Sequence, residues 1–331
     1  MRLRCRAACE CRGGLAAPPA MTVAWRTRVK PLLGTLVEIS LPYADEAIFL
    51  RATELAFARV QAIHGAMSFH ESTSDVRAIA RARIGETVRV STDTFETLLL
   101  ALELENESKG AFNPTIAPEL VARGLLPRPD DLTPPPEPTT LATSIALSAP
   151  DVVRLLKPVW IDLGGIAKGY AVDAATVALQ AAGVADGVVN AGGDLRVFGA
   201  ARHTLSLRLP ASPTINIDVS ELRNLSCATS GGYLFDATLG THPGIVGART
   251  STAARAASVS VITRRCAVAD ALTKVLWLLG ADDPVCIALL KRYEASAVLL
   301  DAEGAVTQIS AVASFRTVSH SLEILRTTSG E

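Results

Sequence analysis

The chain has 331 residues, of which 49% are hydrophobic and 5% are aromatic, and its formal net charge is −1. This amount of apolar material supports a folded core of mainly aliphatic side chains, so the chain as a whole is not disordered. The balanced charge gives no electrostatic case for binding to nucleic acid or to an anionic membrane surface.

The predicted elements alternate only in part between strands and helices. Strands are expected at 33–41, 88–90, 144–148, 152–156, 187–189, 205–209, 215–219, 258–262, 297–300 and 306–309, and helices at 45–63, 74–81, 91–108, 167–183, 267–279 and 283–292. Because strands follow one another as often as they follow helices, we expect an α+β fold with largely antiparallel sheets and packed helices.

The first predicted helix, at 45–63, is amphipathic. Its apolar stripe is expected to contain Ile48, Ala52, Leu55, Val60 and Ile63, which would pack on a sheet.

The domain organisation follows from composition. Residues 1–26 are expected to be a disordered tail or a misassigned start, 27–318 a single domain, and 319–331 a C-terminal tail. Six prolines between Leu126 and Pro138 exclude a helix or central strand there, so 127–138 is expected to be an exposed loop within the domain.

Cysteine usage gives a second constraint. Three cysteines lie near the N-terminus and three are widely spaced in the second half, at Cys227, Cys266 and Cys286. No second cluster stands at metal-ligand spacing, so a zinc site is not expected, and the isolated cysteines are typical of a reducing compartment. The chain has no apolar run of about 18 residues, so no membrane insertion is expected.

The most informative stretch is Trp160–Ala175, WIDLGGIAKGYAVDAA. It is expected to form a short strand, a tight turn at Gly164 and Gly165, and the start of a helix. Free N–H groups at a helix N-terminus suit an anion, and Lys168 adds a positive charge one turn into the helix. Together with Asp162, this indicates a nucleotide held by phosphate and base, or a phosphate with a metal.

The same stretch also has a simpler structural interpretation. Gly164 and Gly165 are then only a turn, Lys168 is a solvated residue, and Asp162 is a helix cap. The pattern is neither a P-loop nor G-x-G-x-x-G, so neither of those nucleotide-binding folds is indicated.

Seven motifs in register resolve this ambiguity. They are Leu33-Gly34-Thr35, Met67-Ser68-Phe69-His70, Phe112-Asn113-Pro114-Thr115, Asp162 to Tyr170, Asn190-Ala191-Gly192-Gly193-Asp194, Ala228-Thr229-Ser230-Gly231 and Ala269-Asp270-Ala271-Leu272-Thr273. In order and approximate spacing, the chain resembles the ApbE family, the FAD:protein FMN transferases, over about residues 30–310. The resemblance implies an ApbE-like α+β fold with its active site in a central cleft.

The resemblance also implies a reaction. Members of the family bind FAD with Mg²⁺ and transfer FMN to a threonine hydroxyl of a partner flavoprotein, releasing AMP. Some members instead hydrolyse FAD to FMN and AMP. A divalent ion neutralises the charge that develops at the pyrophosphate in such a substitution. FAD, an acceptor flavoprotein with a threonine motif, and Mg²⁺ are therefore the expected partners and cofactor.

By the same resemblance, several residues receive cofactor-binding roles. Asp162 corresponds to an acid that binds the flavin nucleotide and Lys168 lies beside it, while His70 stands where many members have a ring-stacking tyrosine. The remaining cofactor-binding candidates are Thr35, Thr115, Ala117, Asp194 and Thr229.

The metal and catalytic assignments concentrate on the last motif. The resemblance implies that Asp270 and the main-chain carbonyl of Gly165 bind the metal, and that Asp270, His242 and Lys274 are catalytic. Lys274 stands where the family usually has a threonine, and Thr273 comes one residue early and is the third metal candidate. Lys274 is expected either to offset phosphate charge or to be a solvated lysine paired with Asp270. The segment from His242 to Thr250 also departs from the family, because it has no Asp-Pro pair.

Three functions stay open at this point: an FMN transferase, an FAD pyrophosphatase, or a non-catalytic FAD-binding protein. No signal peptide or lipobox is evident, so a cytoplasmic location is expected, with a periplasmic one, as for many members of the family, as the alternative.

Overall fold

The fold is known from a computed structural model, which describes residues 24–43, 45–130, 134–148, 150–209, 212–231, 245, 256–301, 305–310 and 326–327. The helices are α1 (Glu46–Met67), α2 (Asp75–Arg81), α3 (Thr92–Glu107), α4 (Ala117–Ala122), α5 (Leu141–Ser144), α6 (Ala167–Ala181), α7 (Cys266–Leu279) and α8 (Pro284–Arg292). The strands are β1 (Trp25–Leu32), β2 (Thr35–Pro42), β3 (Thr87–Arg89), β4 (Ile145–Ser148), β5 (Val152–Leu155), β6 (Gly187–Ala191), β7 (Asp194–Phe198), β8 (His203–Leu209), β9 (Ser212–Leu222), β10 (Ser226–Gly231), β11 (Ala256–Thr263), β12 (Ser296–Asp301), β13 (Val306–Ser310) and β14 (Arg326–Thr327).

One large sheet organises the described chain. Its nine strands run in the order β1-β2-β6-β7-β10-β11-β12-β13-β14, and every neighbouring pair is antiparallel except β13 with β14. A three-stranded sheet, β3-β5-β4, and a β8-β9 hairpin complete the strand pairing. The predicted α+β fold with largely antiparallel sheets and packed helices is confirmed.

The main core lies between the large sheet and helices α1, α6 and α7. Helix α1 packs on α6, and α6 packs on α7, which also contacts β10 and β11. The approach of α6 to α7 is close at Gly169, where an added Cβ atom would lie 2.3 Å from the carbonyl oxygen of Cys266. A residue with a side chain therefore does not fit at this crossing.

A second apolar cluster involves the β8-β9 hairpin. Val197 of the large sheet and Leu205 and Leu222 of the hairpin are among its buried members. The large sheet thus contributes buried residues to two separate apolar clusters.

Two predicted details of the elements were wrong. The apolar stripe of α1 is centred on residues such as Phe49, Ala56 and Phe57, while Ile48 and Leu55 are 62% and 47% exposed. The prediction was therefore right for Ala52, Val60 and Ile63, which are buried, and wrong for Ile48 and Leu55.

The apolar run 159–161 is buried but forms no strand. The backbone N–H of Asp162, which follows this run, donates instead to the carbonyl of Pro114 at 2.8 Å. A short buried apolar run has the same sequence pattern whether it forms a strand or an irregular segment, and only its hydrogen-bond partners distinguish the two structures.

Strand β1 was not predicted. It starts at Trp25, two residues before the predicted domain boundary, and pairs along its whole length with β2. Among the described helices, none is both long enough and apolar enough to cross a membrane.

Candidate functional site

A cavity of about 590 Å³ lies at the N-terminal end of α6. Its walls come from the end of α1 and the loop after it, the segment before α4, the turn before α6, and one side of α7. The lining residues include Ile63, His64, Met67, Phe69, His70, Phe112, Asn113, Pro114, Leu120, Asp162, Gly164, Gly165, Lys168, Ile245, Lys274 and Leu278. The walls are mostly apolar, and the charged groups are concentrated at one end.

Asp270 is the buried centre of the charged end. It lies in the second turn of α7 and has no exposed surface. One carboxylate oxygen accepts the backbone N–H of Gly169 at 3.1 Å and lies 3.4 Å from the Lys168 ammonium, and the other is hydrogen-bonded to the Lys274 ammonium. Burial raises the pKa of the Asp270 carboxyl, but the two ammonium groups outweigh it, so this pKa lies below its ordinary value.

Lys168 joins two carboxylates. Its ammonium is hydrogen-bonded to Asp194, which is 1% exposed, and also contacts Asp270. Burial lowers the pKa of Lys168, but the two negative charges outweigh burial and raise this pKa above its ordinary value. The side chain is therefore a permanent cation. Burial and the Asp270 charge raise the pKa of Asp194 above its ordinary value. The two neighbouring carboxyl groups thus have pKa values pushed in opposite directions.

Lys274 stands between Gly165 and Asp270. Its side chain is 18% exposed and ion-pairs with Asp270 one helical turn earlier. Its Cε atom lies 3.8 Å from where a Cβ atom on Gly165 would be. The ammonium therefore lies beside two of the three residues that were expected to bind a metal.

Asp162 lines the cavity but does not cap α6. Its Oδ1 accepts the backbone N–H of Gly164 at 3.1 Å, and the N-cap residue of α6 is Ile166, which makes no side-chain capping bond. The cap interpretation of Asp162 was therefore wrong. Burial raises the pKa of this carboxyl against the opposing effect of the Gly164 N–H.

The uncapped start of α6 opens onto the cavity through Ala167 and Lys168. An uncapped helix N-terminus carries partial positive charge, so this end of the cavity suits an anion.

Other predicted site residues are distributed unevenly around the cavity. His70 is exposed and lines it. Thr115 and Ala117 are buried and do not line it; the Thr115 hydroxyl donates to Asn113 Oδ1 or to the carbonyl of Thr139, at 2.8 and 2.7 Å. These two residues belong to the supporting structure of the wall that contains Asn113.

Thr35, Asp194 and Thr229 also lie outside the cavity lining. The Thr229 backbone N–H donates to Asp194 at 3.3 Å, so β10 helps to hold the carboxylate that pairs with Lys168. Thr35 packs against Gly192, where an added Cβ would lie 2.4 Å from its hydroxyl. The predicted residue His242 lies outside the described residues.

Two features of the site were missed from the sequence. His64 and Phe112 line the cavity; Phe112 belongs to one of the seven motifs, but neither residue was assigned a role. Asp173 accepts the backbone N–H groups of Cys266 and Ala267, each at 3.0 Å, and so caps α7 from α6. A cap that spans 93 positions has no local signal in the sequence.

The side chains expected to bind Mg²⁺ are already engaged in other contacts. Both oxygens of Asp270 are engaged, one of them by Lys274. The Thr273 hydroxyl donates to the Asp270 carbonyl at 2.7 Å and pairs with Ser230 Oγ at 2.8 Å. Within the described part of the chain there is no group of three or more His, Cys, Asp or Glu side chains that could hold a metal ion. As arranged, these residues do not fit a divalent cation.

The fold is that of known flavin transferases. The Vibrio cholerae flavin transferase ApbE has a TM-score of 0.70 at 20% identity, with 87% of this chain and 97% of that chain covered. The ApbE protein of Thermotoga maritima has a TM-score of 0.70 at 24% identity, with 86% and 96% covered. At these identities, the likeness establishes the fold alone.

The sequence comparison identifies the family. A model of the ApbE family matches residues 33–299, and the chain therefore belongs to the ApbE family. A Vibrio cholerae protein named FAD:protein FMN transferase is 25% identical over 246 residues, which is 69% of this chain and 73% of that protein. A Rhodobacter capsulatus protein of the same name is 28% identical over 273 residues, which is 76% of this chain but only 51% of that protein.

Proposed function

We propose that this chain is an FAD:protein FMN transferase that moves FMN from FAD to a threonine hydroxyl of an acceptor flavoprotein and releases AMP. The observation that carries the proposal is the cavity, whose apolar walls end at the ammonium groups of Lys168 and Lys274. A cavity of about 590 Å³ is within the usual range for a site that holds an organic ligand. The name of three sequence relatives, FAD:protein FMN transferase, supports the transfer of FMN from FAD to a protein.

The shape and charge of the cavity suit the parts of FAD. Apolar walls that include Phe112 and Leu278 would contact its rings, and His70 would lie against one of them. The pyrophosphate would lie at the start of α6, beside the ammonium groups of Lys168 and Lys274. Asp162, which lines the same end, would accept a hydrogen bond from the nucleotide.

The reaction is a substitution at phosphorus. The acceptor hydroxyl oxygen forms a bond to the phosphorus of the FMN half, and the bond from that phosphorus to the oxygen of AMP breaks. The hydroxyl proton passes to a base, and AMP leaves with the bridging oxygen. Lys168 and Lys274 would stabilise the negative charge that grows on the phosphate oxygens. His242 stays a candidate for the base.

Mg²⁺ is the cofactor that the family resemblance implies, and it would supply charge neutralisation at the phosphates. The donor set around Asp270 does not fit this ion while Lys274 is paired with the carboxylate. We therefore propose the transfer reaction without assigning any of its steps to a metal.

The two alternatives differ in their products. A pyrophosphatase would release FMN and AMP in equal amounts, and a non-catalytic flavin-binding protein would leave FAD intact. The test is incubation with FAD and with peptides rich in small residues that contain one threonine, followed by mass analysis. FMN on the threonine peptide, and none on the matched valine peptide, would support the transferase. Free FMN with AMP, or intact bound FAD, would contradict it.

A further inference from the structure

We propose that the Lys274 ammonium takes the place of a divalent cation, so that this chain binds the pyrophosphate of FAD without a metal ion. The inference rests on the proposed function, because it concerns how the same site holds FAD. It predicts that FAD affinity does not depend on Mg²⁺.

The first argument is position. The Lys274 side chain passes over Gly165 and ends at the Asp270 carboxylate. A cation bound to the Asp270 oxygen that Lys274 engages would have to displace this ammonium. Lys274 also lines the cavity, so its ammonium can be reached by a ligand.

The second argument is charge balance. Asp194 and Asp270 are two buried carboxylates, and Lys168 and Lys274 supply two positive charges that contact them. Buried carboxylates need compensation either by paired cations or by a metal. Here the four side chains compensate one another, so a divalent ion is not required to neutralise the buried acids.

The third argument is hydrogen-bonding capacity. An ammonium group has three N–H donors, and among the described residues Asp270 is the partner of Lys274. At least one N–H of Lys274 is therefore left to donate to an oxygen of the pyrophosphate. A charge-assisted hydrogen bond of this kind is stronger than a neutral one. A freely solvated surface lysine would not show the 18% exposure of this side chain.

The first experiment uses the wild-type protein alone. FAD binding is measured by quenching of flavin fluorescence, once in EDTA and once in Mg²⁺, and Mn²⁺ binding to the protein without flavin is measured by electron paramagnetic resonance. The inference predicts FAD dissociation constants that agree within about twofold and no stoichiometric Mn²⁺ site. A gain in FAD affinity of about tenfold or more on adding Mg²⁺, or one tightly bound Mn²⁺, would overturn it.

The second experiment uses variants. Lys274→Met removes the ammonium and should weaken FAD binding by about tenfold in both EDTA and Mg²⁺. Lys274→Thr leaves the carboxylates with one cation and offers a hydroxyl oxygen, so Mg²⁺ should restore part of its FAD affinity. Lys157→Thr, at an exposed lysine away from the cavity, is the matched control and should bind FAD as the wild type does.

Thermal melts show whether each variant is folded, and the wild-type measurements stand if one is not. Wild-type FAD affinity in the Lys274→Met protein would overturn the inference. A wild-type protein that binds FAD only with Mg²⁺ refutes the inference but leaves the proposed function intact. A protein that binds FAD in EDTA but never modifies threonine refutes only the proposed function.

Discussion

Replacing Asp270 with asparagine should destabilise the protein far more than an ordinary change of charge. The carboxylate has no exposed surface and is bonded to the Gly169 N–H and to the ammonium groups of Lys168 and Lys274. Asparagine keeps the volume and one acceptor, but it removes the negative charge and turns an NH₂ group towards two cations. Removing one partner of a buried ion pair costs about 3–5 kcal/mol.

The expected loss is smaller than that for a fully buried pair, because solvent reaches both lysines. The Lys168 side chain is 33% exposed and that of Lys274 is 18% exposed. We therefore expect the free energy of unfolding to fall by about 2–3 kcal/mol. Urea denaturation measures this loss, and Asp282→Asn, at an exposed aspartate, is the control, expected to change stability by no more than about 0.5 kcal/mol.

A double-mutant cycle with Lys274→Met assigns part of this loss to the ion pair. Once Lys274 is gone, the Asp270→Asn change should cost measurably less, with a coupling of about 1 kcal/mol. Equal losses in Asp270→Asn and Asp282→Asn, or strict additivity with Lys274→Met, would refute the picture of a cluster held by mutual charge compensation.

Gly169, Asp162 and two buried cysteines each allow a separate test. Gly169→Ala should lower the free energy of unfolding by about 2–3 kcal/mol, because its Cβ would meet a backbone carbonyl at 2.3 Å. The control, Gly65→Ala, has open space around it and should be neutral or stabilising in the same urea titration. Equal effects of the two changes would contradict the close helix crossing. Asp162→Ala should weaken FAD binding in a fluorescence titration. It should cost only about 1 kcal/mol of stability, because the hydrogen bond from the Gly164 N–H is lost. Unchanged FAD affinity would remove Asp162 from the site. Burial raises the pKa of Cys227 and of Cys286 to about 12, so both are protonated thiols at pH 8 and should react with a thiol reagent only in denaturant. The reaction is measured in a variant in which the three cysteines before residue 12 are replaced by serine. Rapid reaction of the native protein would contradict the burial of these thiols.

Much of the fold could be predicted because its elements carry local signals. Helix α7 was expected at 267–279 and runs from Cys266 to Leu279, where Gly280 adopts φ +86° and ends it. Helix α6 was likewise expected to begin at Ala167. In both cases, helical periodicity and a terminating glycine are enough to define the element.

The glycine pair Gly192–Gly193 shows where local signals are ambiguous. It was grouped with cofactor-binding motifs, and in the structure it forms the turn between β6 and β7, with φ +64° and +102°. A turn that needs positive φ and a loop that approaches a ligand both favour glycine, so composition alone cannot separate them. Asp194, which follows this turn, is buried against Lys168 rather than lining the cavity.

The charged cluster itself depends on tertiary contacts. Lys168 and Asp270 are separated by 102 positions, and the resemblance to the family suggested that they act in one site. Lys274 was expected either to offset phosphate charge or to pair with Asp270. The pairing follows from their spacing of one helical turn. That the same lysine also covers Gly165 could not be predicted, because it depends on how α7 packs against the start of α6.

The measurement that tests the proposed reaction most directly is the ratio of AMP released to FMN-modified threonine in a single incubation with FAD and an acceptor. Mass spectrometry quantifies the modified peptide, and chromatography quantifies AMP and free FMN from the same sample. A transferase gives one AMP for each modified threonine and no excess of free FMN. AMP that accumulates with an equal amount of free FMN, while the acceptor stays unmodified, would contradict the proposed transfer and identify the chain as a hydrolase of FAD.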